Sequence, residues 1–282
     1  MKVLAAVTNG LSASLAKLGL DIVEVQDAEG VEGLLEVLAG ADPSFAVVDL
    51  TLPFATDLVV QLKAKVDGPE RDRIPVVTVG RGGRTLRCAS DADLGEKGLG
   101  AQGAEAVLEV AKGVIMRRAR RRRLFDQEAL FLCPSERDEV DRLGDCVEVM
   151  IGTCGYDVTS ATKLAYSARE AIGNAAEHGN KYDPLKTIRV LFLRSDDRVA
   201  IAISDEGPGF DTSSFLARAE QVSALEHTRS RRETESRPGG LGVFIMVETC
   251  DSICFNEVGN SIYLMKYLPG HETVEPVFEE AS

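Results

Sequence analysis

Four short apolar runs, residues 3–7, 22–25, 45–50 and 74–79, alternate with stretches of helical periodicity. The helical positions are Leu11/Leu15/Leu18, Val31/Leu34/Leu35/Leu38 and Leu58/Val59/Leu62. A strand followed by a helix before the next strand cannot close a tight hairpin, so consecutive strands are expected to lie parallel. Residues 1 to about 115 therefore read as an α/β domain with a doubly wound parallel sheet. After Val79 the alternation decays. Gly80-Arg81-Gly82-Gly83 is a loop, Gly95, Gly98, Gly100 and Gly103 mark irregular chain, and residues 85–89 are the best candidate for a fifth strand.

Helical periodicity resumes near Ala104 and runs through Val107, Val110, Val114 and Ile115 into Arg117-Arg118-Ala119-Arg120-Arg121-Arg122-Arg123. Six arginines in seven residues invite a nucleic-acid reading. No aromatic residue is interleaved and no groove-reading motif is present, so residues 116–127 are read as a solvated helical linker. Lys and Arg total 32 and Asp and Glu total 45, a net charge of −13. So acidic a chain is a poor general ligand for phosphate backbones or anionic membranes. The longest apolar runs are strand-sized, which excludes a bilayer-spanning helix. The start of the chain reads as a first strand, not as an export signal. The six cysteines form no C-x-x-C pair and have no histidine at zinc-finger spacing. They are expected to be reduced, partly buried thiols in a cytoplasmic protein.

The order of elements changes in residues 128–270. A strand at 129–133 is followed by helices at 135–152 and 160–178. Strands at 188–194 and 199–204 come next, then a short helix at 243–247, and last the strands at 252–255 and 261–267. Helices and then strands imply an α+β domain, a helix layer on a mostly antiparallel sheet. Residues 271–282 form an acidic tail.

Three polar clusters interrupt this second region. Glu170, Asn174 and His178 are spaced i, i+4, i+8, and at about 100° per residue they share one face of a helix. Such a stripe is either solvated or a source of oxygen ligands, an Asn carbonyl for Mg²⁺ and a Glu as ligand or base. Asp205-Glu206-Gly207-Pro208-Gly209 follows an apolar strand. It is either plain turn chemistry or a pocket in which glycines admit a flat base and the carboxylate accepts from its exocyclic amine. Gly239-Gly240-Leu241-Gly242 opens a helix and exposes backbone N–H groups suited to phosphate.

Taken in this order, the clusters resemble the N, G1 and G2 boxes of the ATPase superfamily that includes gyrase and the histidine kinases. The stretch Glu170 to Gly179 resembles the E-x-x-x-N-A-x-x-H-G run of its anti-sigma-factor serine kinase branch. Asp205 to Gly209 resembles D-x-G-x-G, and Gly240-Leu241-Gly242-Val243-Phe244 resembles G-L-G-L-F, with Pro238-Gly239 as a departure. The resemblance implies a Bergerat-type ATPase fold that binds ATP and Mg²⁺. It puts Asn174 on the metal, Asp205 on the adenine amine, and Gly240, Leu241 and Gly242 near phosphate. His178, Gly207 and Gly209 fall within the same boxes, and Glu170 is the implied base that activates a substrate hydroxyl. Residues 212–225, read as helical, and the arginines 229, 231, 232 and 237 fall in the implied ATP lid. The implied partners are an anti-sigma-factor antagonist and a sigma factor, and the implied assembly is a homodimer, with no nucleic acid or membrane as partner. A non-catalytic module that switches partners with ATP is the alternative. Autophosphorylation on histidine is not expected. Only His178, His227 and His271 are present, and His271-Glu272-Thr273-Val274-Glu275-Pro276 follows the ATPase region without a helical hairpin.

Residues 1 to about 80 resemble a response-regulator receiver, with Asp49 at the phosphoacceptor position and Thr78 at the hydroxyl after the fourth strand. Receivers carry an acidic pair after strand one, where this chain has Val7-Thr8-Asn9, and no Lys can be assigned after a fifth strand, Lys97 being distant. The resemblance thus implies a degenerate receiver, a docking or regulatory module.

Overall fold

The computed structural model describes residues 1–8, 10–25, 43–64, 74–83, 85–100, 102–120, 125, 127–211 and 241–271. The chain divides into two compact units, Met1–Leu124 and Phe125–Ser282.

In the first unit, strands β1 (Lys2–Ala6), β2 (Asp21–Glu24), β3 (Phe45–Asp49) and β4 (Val76–Val79) follow the apolar runs. β3 and β4 are buried along their whole length, as strands covered on both faces must be, which is why they read as continuous apolar runs. The sheet order is β2-β1-β3-β4-β6 with every pair parallel, the order of doubly wound flavodoxin-like sheets. Helices α1 (Leu11–Lys17), α2 (Ala55–Ala64) and α3 (Gly103–Arg120) accompany it. Val3, Leu15, Phe45, Val47, Val77, Val79, Val107 and Ala111 are among the residues that form one core. The expected helix around Val31–Leu38 and the arginines 121–123 lie outside the described residues.

The fifth strand corrects the sequence reading. A two-residue strand β5 (Arg87–Cys88) does fall within the expected stretch, yet the strand that joins β4 is β6 (Ala92–Asp93), in parallel register Val77↔Ala92 and Thr78↔Asp93. Two residues without an apolar run give no periodic signal. Polar contacts hold this edge instead: the Val76 N–H donates to Asp91 Oδ2 at 2.6 Å, and the Thr78 and Ser90 hydroxyls lie 2.9 Å apart. A 3₁₀ turn, Gly95–Leu99, follows β6 directly. Lys97 therefore does come after a fifth strand, four residues past its end, and is exposed.

In the second unit, strands β7 (Gln127–Pro134), β8 (Thr187–Arg194), β9 (Arg198–Ser204), β10 (Ser252–Phe255) and β11 (Ser261–Tyr267) run in the order β10-β11-β9-β8-β7, antiparallel at each step. Burial alternates along β7 and β8, so one face of the sheet carries the core. Helices α4 (Arg137–Gly152), α5 (Val158–Asn174) and α6 (Leu241–Thr249) supply the other layer, with α5 packed on α4, α6, β9 and β11. Phe131, Phe192, Leu143, Met150, Leu164, Ala168, Ile172, Ile201, Met246 and Leu264 are fully buried. α5 starts two residues before the expected Ser160 because Asp157 caps it, accepting the N–H groups of Thr159 at 2.9 Å and Ser160 at 3.1 Å. The bonds from Ser160 and Thr159 also hold the Asp157 carboxyl below its ordinary range.

All six cysteines are free thiols, five of them buried and Cys254 half-buried, as the sequence suggested. No helix among the described residues is long and apolar enough to cross a membrane.

Candidate functional site

α5 carries Glu170 and Asn174 one turn apart, with Asn174 as its last residue. Both are half-buried, while Ala168, Ala171 and Ile172 on the other side are buried. The pair is thus neither a solvated stripe nor part of the core. His178 does not continue the stripe as expected. After Asn174 the helix widens into a π turn, Ala175–Gly179, closed by the Asn180 N–H on Ala175 O at 2.8 Å. The α period on which the i+8 spacing rested ends there, and His178 is exposed. π turns inside helices are frequent at functional sites.

The wider turn brings Gly179 against the loop after β9. A Cβ on Gly179 would overlap the carboxylate of Asp205, and one on Gly207 would stand 2.5 Å from Gly179 O and 2.7 Å from Asp205 Oδ1. Only glycine allows the two backbones this close an approach. Asp205 is half-buried. Burial pushes its carboxyl above the ordinary value, opposed by the Gly207 N–H and the charge of Lys186. Asp205 Oδ1 accepts the Gly207 N–H at 2.7 Å.

The 256–260 turn braces this loop from the far side. The Asp205 N–H donates to Asn260 O at 3.0 Å, and Asn260 Nδ2 reaches Gly207 O at 3.4 Å. Asn256 Oδ1 in turn accepts the N–H groups of Gly259, Asn260 and Ser261 at 2.9, 3.0 and 3.1 Å. Gly209, in the left-handed region at φ 78°, packs its Cα on the Val258 carbonyl. Asn180, Asn256 and Asn260 were not singled out from the sequence. They lie outside the three polar clusters, and only the fold shows that the 256–260 turn meets Asp205.

Leu241 and Gly242 are the first described residues of α6. Gly240, the lid stretch 212–240 with its arginines, and His227 lie outside the described residues.

In the first unit Asp49 ends β3 and is completely buried. Its Oδ1 accepts the Thr51 N–H at 2.9 Å and the Thr51 hydroxyl at 2.8 Å, and its Oδ2 accepts the Thr8 hydroxyl. Gly80 closes over it, since a Cβ there would stand 2.5 Å from Oδ1. Thr78 faces Ser90. Asn9 lies outside the described residues.

A helix layer on an antiparallel sheet is consistent with a nucleotide-binding ATPase domain. The family described as histidine kinase-like ATPase domain matches residues 133–266. The serine-protein kinase RsbW of Staphylococcus epidermidis is 32% identical over 115 residues, which cover 40% of this chain and 68% of that protein. The serine-protein kinase RsbW of Bacillus subtilis (strain 168) is 28% identical over 130 residues, 44% of this chain and 78% of that protein. That of Staphylococcus aureus (strain MSSA476) is 30% identical over 115 residues, again 40% and 68%. The chain belongs to the RsbW family of serine-protein kinases.

Proposed function

We propose that this protein is an ATP-dependent protein kinase of anti-sigma-factor type that phosphorylates a serine or threonine on a small antagonist protein. The observation that carries this reading is the pairing, on α5, of Glu170 with Asn174 one turn later, both half-buried, on the helix whose π-turn continuation packs Gly179 against Asp205. Pure nucleotide binding needs the Asn and the Asp; a carboxylate next to them supplies a base.

The residues present fit ATP. The raised, half-buried Asp205 carboxylate and the Gly179–Gly207 approach form a cradle for adenine with an acceptor for its amine. Leu241 and Gly242 would meet phosphate through backbone N–H. Asn174 would hold Mg²⁺ through its side-chain carbonyl. Among the described residues no group of three or more His, Cys, Asp or Glu side chains forms a metal cage, and Mg²⁺ suits a site of one protein oxygen completed by phosphate and water. That ion would supply charge neutralisation on the phosphates. Glu170 takes the hydroxyl proton as the substrate oxygen forms its bond to the terminal phosphorus and the bond to the ADP oxygen breaks.

Sequestration of a sigma factor when the antagonist is absent follows from the same reading, as do a homodimer, a cytoplasmic location and the absence of nucleic acid as partner. The first unit, with its caged Asp49, is proposed as a degenerate receiver that regulates or docks. The domain limits proposed are 1–115, the helical linker 116–127, 128–270 and the tail 271–282. The full chain is incubated with γ-labelled ATP and the proteins it retains from native extract. Label on a serine or threonine of a small retained protein is the expected result. Retention that depends on ATP without any transfer would make it a switching module and not a kinase.

A further inference from the structure

Asn180 is fully buried at the point where the π turn meets the Asp205 loop. Its own N–H closes the π turn, and its side-chain Oδ1 accepts the N–H of Glu206 at 2.8 Å. Because an N–H must meet an acceptor, this bond fixes which end of the amide is oxygen. The other end, Nδ2, is buried with no hydrogen-bond partner. An unpaired buried donor opposes folding, so the side chain is poorly explained by stability alone.

The backbone on its C-terminal side is also strained. Lys181 and Tyr182 are both left-handed, at φ 61° and 53°, a conformation that side-chain-bearing residues rarely adopt. The bend is held by the Tyr182 N–H on Ala176 O at 2.8 Å and by the Arg137 guanidinium 4.2 Å above the Tyr182 ring. This bend follows Asn180 directly, where its amide meets the loop.

The segment Asp205–Glu206 is pinned at both ends: the Asp205 N–H on Asn260 O and the Glu206 N–H on Asn180 Oδ1. The peptide between them is planar, so its height and tilt are set by these two anchors. We infer that Asn180 is the positioning residue that holds the Asp205 carboxylate in register with the nucleobase and so sets the preference for adenine. Guanine presents a carbonyl where adenine presents an amine, and a carboxylate held at that point rejects it. The inference rests on the ATP-site reading above.

The test is calorimetric titration of the full chain with ATP and with GTP, each with Mg²⁺, for wild type, Asn180→Ala, Asp205→Asn and the double variant. Asn180→Ala is expected to bind ATP about tenfold more weakly, and to lose about the same factor in its preference for ATP over GTP. In the Asp205→Asn background the same change is expected to have no further effect, because its action passes through Asp205. Equal losses in the two backgrounds, or an unchanged ATP:GTP preference, would overturn the inference while leaving the nucleotide site intact. Wild-type ATP affinity in Asp205→Asn would instead overturn the site assignment itself, and the inference with it. If Asn180→Ala does not melt cooperatively, Asn180→Ser takes its place under the same expectations: it keeps a polar group in the pocket but falls short of the Glu206 N–H.

Discussion

The hydroxyl of Thr8, at the end of the first strand, donates a hydrogen bond to the buried carboxylate of Asp49, at the end of the third. In a phosphorylatable aspartate that region would hold acids and a metal ion; here a neutral hydroxyl occupies it. Both Asp49 oxygens are engaged, and Gly80 covers the approach. Acetyl phosphate is therefore expected to leave Asp49 unmodified. Intact-mass analysis checks this, and a phosphate adduct that disappears in Asp49→Asn would reverse the conclusion.

Asn174 is the last residue of α5 and the side chain proposed to hold the cation. Asn174→Ala is expected to abolish Mg²⁺·ATP binding in a calorimetric titration. Unchanged affinity would mean that the nucleotide lies elsewhere.

The proposed role of Glu170 as base separates catalysis from binding. A seryl hydroxyl is almost wholly protonated at neutral pH, and a positioned base is typically worth about 10²- to 10⁴-fold. Glu170→Gln keeps size and hydrogen bonding but removes the basic carboxylate. ATP affinity should stay within a few-fold, while phosphoryl transfer falls by about two orders of magnitude or more. Transfer at the wild-type rate would show that another group is the base.

The proposed contact of Asp205 with adenine predicts a pH dependence of ATP affinity with a definite sign. Burial raises its carboxyl above the ordinary 3.8, so the folded chain takes up a proton there more readily than the unfolded one. Taken alone, this group makes the fold less stable as pH rises from the ordinary value through the raised one. The proposed contact with adenine's amine uses the ionised form, so ATP affinity is expected to have the opposite trend, falling as the medium is acidified through the raised value. Titrations repeated at decreasing pH should show this fall in wild type and a flatter profile in Asp205→Asn. Equal slopes in the two would remove Asp205 from the base contact.

Most of the second unit was legible because its signals are periodic and local. β10 and β11 lie at the expected residues, 252–255 and 261–267. What escaped had no local signal. Ala175-Ala176-Glu177-His178-Gly179 reads as one more α turn, and the extra width of the π turn shows in the bond from Asn180 to Ala175. β6 is two residues long and held by side-chain oxygens from its flanks. The brace on Asp205 comes from Asn260, 55 positions along the chain, and no spacing rule reaches that far. Glu170, Asn174, Asp205 and the glycines stand out in the sequence because each role that the resemblance implies demands a narrow residue type at a narrow spacing.

The free thiols have a practical consequence. Burial pushes Cys133 and Cys250 up to about 12, so both stay protonated at neutral pH and react slowly. Cys88, Cys146 and Cys154 are buried as well, which leaves half-buried Cys254, on β10, as the thiol a labelling reagent meets first. Its neighbour Phe255 stacks edge-on against Phe210, immediately after the Asp205–Gly209 loop, with ring centroids 5.4 Å apart. An environment-sensitive dye attached at Cys254 would thus sit one residue from the aromatic contact that follows the loop, a natural optical reporter of what that loop does.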